Sequence, residues 1–116
     1  MIVDKLFDAV AARGPVCVGL DTALDYLPPA FRSGFDMPGE AQFQFNRRIV
    51  EATADRSACF KLQIAYYEAL GLEGLRAYAK TLQYIRARGC IAVADVKRGD
   101  IAATAQMYAK AHFEGE

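Results

Sequence analysis

Four ionisable side chains stand at the downstream ends of three short apolar runs. Asp21 follows residues 16–20, Lys61 lies late in residues 58–62, and Asp95 and Lys97 close the run that starts at Cys90. A fifth, Asp100, ends the stretch Asp95-Val96-Lys97-Arg98-Gly99-Asp100. Carboxylates beside a lysine keep it in its ammonium form, because opposite charge favours the ionised state. An ammonium fixed in place can stabilise negative charge developing on a bound substrate and can deliver a proton to it. That chemistry requires the groups to meet. Taken singly, each has a plainer use. A charge where a strand leaves the core often starts a solvated loop. Asp95 and Lys97 can form a structural ion pair. Asp100 can cap the helix that follows, and Arg98 reads as a solvent-facing charge.

Whether they meet depends on the elements that carry them. Side chains alternate along a strand. Cys17, Gly19 and Asp21 therefore share one face, as do Cys59, Lys61 and Gln63, and Val93, Asp95 and Lys97. Between the runs the apolar spacing is helical. Val3, Leu6, Phe7 and Val10 form a stripe closed by Gly14 and Pro15. Phe45, Ile49 and Ala52 form a second. Leu75, Tyr78, Leu82 and Ile85 form a third, with Arg86 and Arg88 suited to the helix dipole and Gly89 as the stop. Ile101, Ala105 and Tyr108 begin a fourth.

Residues 22–39, punctuated by Pro28, Pro29, Gly34, Pro38 and Gly39, read as a long loop with room for one short helical turn. Strands alternating with helices imply parallel βα units, whose strands are apolar throughout because they are buried on both faces. Such folds carry their sites at the C-terminal ends of the strands. Asp21, Lys61, Asp95 and Lys97 are thus expected on one rim.

Composition narrows the class. The chain has 116 residues, 53% of them hydrophobic, and its 14 basic and 14 acidic side chains cancel. Zero net charge argues against a nucleic-acid partner. No apolar run approaches the roughly 20 residues that span a bilayer, and Asp4 and Asp8 spoil the layout of a signal peptide. A soluble cytoplasmic protein is expected. Cys17, Cys59 and Cys90 lack the spacing of a disulfide framework or a zinc site and read as small buried residues.

The stretch from Asp95 to Thr104 has the form D-x-K-x-x-D-I-x-x-T. With Val18-Gly19-Leu20-Asp21 and Phe60-Lys61-Leu62-Gln63 upstream, in that order, it resembles the orotidine 5'-monophosphate decarboxylases over residues 16–104. The insertion after Asp21 is similar to that of a longer bacterial branch of the family. The resemblance implies a (β/α)8 TIM barrel that acts as a homodimer, without cofactor or metal, on orotidine 5'-monophosphate, giving UMP in pyrimidine biosynthesis. It implies a network of Lys61, Asp95, Lys97 and Asp100 around the reacting carbon, with Lys97 as proton donor and Asp95 beside the departing carboxylate. Asp21 would hydrogen-bond the ribose, and Lys61 would also contact the substrate. Asp100, with Ile101 and Thr104, would serve the neighbouring subunit's site across the dimer interface.

A (β/α)8 barrel needs roughly 200 residues or more. The expectation is that residues 1–116 form the truncated N-terminal part of such a domain, an N-terminal helix and the first three βα units. In the family the later strands supply the phosphate-gripping arginine and the groups that read the pyrimidine edge. A barrel cut short leaves an open sheet edge and an uncovered core face, so this chain alone is expected to be inactive and, if folded, to bury that edge against another copy. Two alternatives stand. One is a magnesium-dependent sugar-phosphate decarboxylase or hexulose-phosphate synthase of the same superfamily, disfavoured because Lys61 would repel the metal. The other is a non-catalytic βα fragment that serves only for association.

Overall fold

The computed structural model describes residues 1–114. Helix α1 (Ile2–Arg13) leads into strand β1 (Cys17–Gly19), short helix α2 (Pro29–Arg32) and long helix α3 (Pro38–Thr53). Strand β2 (Cys59–Gln63), short α4 (Ala65–Glu68), long α5 (Gly71–Ala87), strand β3 (Ile91–Asp95) and α6 (Ala102–Ala109) follow, with π-helical residues Lys110–Glu114 continuing α6. The three strands pair in parallel in the order β1-β2-β3. Cys17 pairs with Cys59 and Cys59 with Ile91; Gly19 pairs with Lys61 and Lys61 with Val93; Gln63 pairs with Asp95. Each strand lies within a residue or so of its apolar run.

Local chemistry sets several boundaries. Helix α1 ends where Gly14 takes a φ of +89°, a left-handed conformation that only glycine adopts freely, and Pro15 follows. The expected loop of residues 22–39 holds two helical turns rather than one, a 3-10 turn at Leu24–Tyr26 and α2. Pro29 opens α2, its fixed φ suiting a first turn.

One face of the sheet is covered by α3 and α5. Leu20, Phe60, Leu62 and Ile64 from the strands and their ends pack there with Val50, Tyr67, Ala77, Tyr78 and Ile85. The other face is open, as expected of a barrel cut short, although the apolar runs alone suggested strands buried on both faces. Val93 is 40% exposed, and Cys17, expected to be buried, is exposed with it. Three strands cannot curl far enough to bury their own concave side, and among the described residues no helix covers it.

The helices depart from expectation in which side they bury. Helix α3 buries Gln42, Asn46 and Val50, while Phe45 and Ile49 flank that face and Ala52 is exposed. Two of its core positions are polar, so hydrophobic periodicity pointed to a neighbouring face. In α5, Tyr78 and Ile85 are buried as expected, together with Ala77 and Thr81, but Leu75 is exposed. In α1 only Ala9 is buried, and Val3, Phe7 and Val10 face outward. Two glycines allow close approach. A Cβ on Gly74 would lie 1.9 Å from the Tyr67 carbonyl oxygen, and one on Gly39 would lie 2.6 Å from that of Glu73.

Candidate active site

Register puts the charged residues on the open face. Lys61 stands beside Gly19 and Val93, and Gln63 beside Asp95. Asp21 is two residues beyond Gly19 and points the same way. Lys61 Nζ donates to both oxygens of Asp21, at 3.0 Å to Oδ1 and 2.7 Å to Oδ2. The Gln63 backbone N–H donates to Asp21 Oδ1 at 3.1 Å, and the Gln63 side-chain Nε2 donates to Asp95 Oδ2 at 2.9 Å. Lys97 Nζ donates to the other oxygen of Asp95 at 2.9 Å. Asp21, Lys61, Gln63, Asp95 and Lys97 thus form one continuous array across three strand ends.

The array is partly desolvated at one end and open at the other. The Lys61 and Asp21 side chains are 30% and 34% exposed, whereas Lys97 is 76% exposed. The hydrogen bond to Asp21 holds Lys61 above the ordinary lysine range; burial opposes this, and the charges of Asp21 and Asp95 reinforce it. Lys97 adopts a φ of +46°, unusual for a residue with a side chain. The chain turns there, which lets the ammonium reach back to Asp95 two residues earlier.

The structure does not bring the remaining expected residues into this array. Asp100 is exposed, and its Oδ1 accepts from the backbone N–H of Ile101 at 2.8 Å. It does not cap α6, whose N-cap is Ile101 with no side-chain hydrogen bond. Ile101 and Thr104 are also exposed. Arg98, expected to face solvent, instead pairs with Glu68 and donates to the Val96 carbonyl at 2.9 Å. Gln63 is the array member that charge-based reasoning passed over. Its parity was the available signal, since it shares a face with Lys61. Among the described residues no group of three or more His, Cys, Asp or Glu is gathered as a metal site, and no helix is long and apolar enough to cross a membrane.

Alternating charges at the C-terminal ends of parallel strands stand where parallel α/β folds carry their sites. Residues 14–116 match the Orotidine 5'-phosphate decarboxylase / HUMPS family, and the chain belongs to that family. The orotidine 5'-phosphate decarboxylase of Clostridium perfringens (strain SM101 / Type A) is 62% identical over all 116 residues, which cover 40% of its length. A Toxoplasma gondii crystal structure of a candidate orotidine-monophosphate-decarboxylase superposes with a TM-score of 0.80 at 34% identity, over 96% of this chain and 36% of that one. The Leishmania donovani OMP decarboxylase gives a TM-score of 0.74 at 30% identity, over 97% and 39%. The chain therefore spans about 40% of the length of the curated relatives it matches. Its three-stranded sheet is the corresponding part of a TIM barrel.

Proposed function

We propose that this chain carries the charged part of an orotidine 5'-monophosphate decarboxylase site, acting without cofactor or metal. The observation that carries the reading is the unbroken array from Asp21 through Lys61, Gln63 and Asp95 to Lys97. Loss of carbon dioxide leaves the bonding electron pair on a pyrimidine ring carbon that resonance stabilises poorly. Charges fixed beforehand must stabilise that carbanion. Lys97 donates its Nζ proton to the carbon, forming the C–H bond of UMP, and regains a proton from water. Asp95 faces the departing carboxylate and favours its loss. Lys61, kept protonated by Asp21, balances the carboxylates, and Asp21 accepts a hydrogen bond from the ribose.

Asp100, Ile101 and Thr104 project into solvent, which agrees with their serving a second subunit. The same reading takes the protein as a cytoplasmic homodimer and residues 1–116 as the N-terminal part of one barrel domain. A magnesium-dependent sugar-phosphate chemistry is less well supported. Lys61 occupies both oxygens of Asp21 and Lys97 occupies Asp95, so each carboxylate faces a cation where a metal would have to bind.

A chimera in which residues 1–116 replace the matching span of the Clostridium perfringens relative tests the proposal. Lys97→Ala should reduce carbon dioxide release from orotidine 5'-monophosphate by about 10²–10⁴-fold, the usual contribution of a positioned acid. Near-intact turnover would exclude Lys97 as donor. Mixing inactive Lys97→Ala and Asp100→Ala chimeras should restore about a quarter of the activity, because random pairing gives half heterodimers with one intact site each. No recovery would remove the shared-site assignment.

A further inference from the structure

Asp21 lies between two residues held from behind by side chains with no place in the charged array. Leu20 and Thr22 point away from the open face and are buried. The Leu20 N–H donates to the Lys61 carbonyl at 2.8 Å, and its own carbonyl accepts from the Tyr67 hydroxyl at 2.6 Å. The Thr22 carbonyl accepts from Gln42 Nε2 at 2.7 Å, and the Thr22 hydroxyl donates to Asn46 Oδ1 at 2.6 Å. Asn46 Nδ2 joins the two sides, donating to the Tyr67 oxygen at 2.9 Å and to Thr81 Oγ1 at 3.2 Å. Thr81 donates onward to the Ala77 carbonyl at 2.7 Å.

Gln42, Asn46 and Tyr67 are completely buried, and Thr22 and Thr81 nearly so. Burial pushes the Tyr67 hydroxyl well above its ordinary range, so it remains a proton donor at any working pH. Every amide proton of Asn46 has an acceptor, and the donors form a directed chain ending on backbone. A polar network placed in a core gains little stability over well-packed apolar residues, but it admits far fewer geometries. This one fixes the peptide group that precedes Asp21 and the hydroxyl and carbonyl of Thr22, which follows it.

We infer that Thr22, Asn46 and Tyr67 are positioning residues for Asp21, setting the angle at which its carboxylate meets Lys61 and the ribose. The ribose part rests on the proposed decarboxylase reading; the effect on the Asp21–Lys61 pair does not.

The test uses Thr22→Val, which keeps the volume and removes the hydroxyl, and Thr22→Ser, which restores it. In this chain, titration of Lys61 by nitrogen-15 NMR reads the ion pair directly. Thr22→Val should lower the pH at which Lys61 loses its proton, and Thr22→Ser should return it. In the chimera, Thr22→Val should lower kcat/KM about tenfold in the native background and have almost no effect when Asp21→Asn is already present, because coupled residues are non-additive. An unchanged Lys61 titration, or equal losses in both backgrounds, would reduce the network to a purely structural one. An inactive chimera with every native residue in place would count against the decarboxylase reading, and the Lys61 titration would still decide the positioning claim.

Discussion

The middle of the molecule and its two flanks are built from similar sequence patterns and end up in opposite environments. Around β2, apolar residues find partners: Phe60, Leu62, Tyr67 and Ile85 are fully buried between the sheet and helices α3 and α5. In α1 and α6 they do not. Phe7 is 75% exposed and Met107 60%, and Val3 and the α6 N-cap Ile101 are also largely in water. An amphipathic stripe states that a helix has an inner side; it does not supply what lies against it. Scattered exposed apolar residues are ordinary, but here they are concentrated on the first and last helices, beside the strands that border the open face.

The largest expected effect breaks this contrast at its strongest point. Phe60→Ala removes a completely buried ring and should cost about 3–5 kcal/mol, a large share of the roughly 5–15 kcal/mol typical of a small domain. Phe7→Ala, the same chemical change on α1, should stay within about 0.5 kcal/mol. Urea denaturation of both variants measures the difference. Equal losses would mean that α1 is packed in solution in a way these contacts do not contain. Next in size is a pair of glycines. Gly74→Ala places a methyl against the Tyr67 carbonyl and should cost about 1–3 kcal/mol by overpacking. Gly19→Ala on the open face meets nothing within 4 Å and should be close to neutral in the same assay.

The contrast also explains what was legible in the sequence. Strands could be read because each is a short apolar run with a clear stop; parity grouped Asp21, Lys61 and Asp95 with their own strand neighbours, and the pairing register then set those groups side by side. The helices could be located by periodicity, but not always oriented. The inner face of α3 carries Gln42 and Asn46, whose burial makes sense only once Thr22 and Tyr67 are seen to bond Asn46, and the Thr22 carbonyl to accept from the Gln42 amide. Gln63 was overlooked because a neutral amide gives no charge signal, although it links Asp21 to Asp95. The Arg98–Glu68 pair joins residues thirty positions apart and leaves no trace in local pattern. Cys17 reads as buried because a buried parallel strand and this half-open one have the same composition; only what covers the second face would distinguish them.

The smallest effect concerns pH and bears on the same boundary, since Cys59 sits inside it and Cys17 outside although they are register partners. Desolvation, and then the neighbouring Cys17, push the Cys59 thiol from the usual 9.0 up to about 11. Its folded form therefore holds its proton longer than the unfolded chain does. Stability is full below pH 9 and falls as the pH rises from there towards 11, because the unfolded state is the one that ionises first. Tyr67 and Lys61 are displaced upward as well and add to the loss in the same direction. Denaturation midpoints should thus be flat from pH 7 to about 9 and decline above it. Replacing Cys59 with Ala should shallow that decline, while Cys17→Ala should alter it much less. The accompanying thiol reaction sharpens the point: at pH 8 an alkylating reagent should modify Cys17 well before Cys59, because the thiolate is the reacting species and Cys59 is both buried and protonated. Equal rates at the two cysteines would show that β1 and β2 separate in solution, and with them the strand pair that holds Asp21 to Lys61.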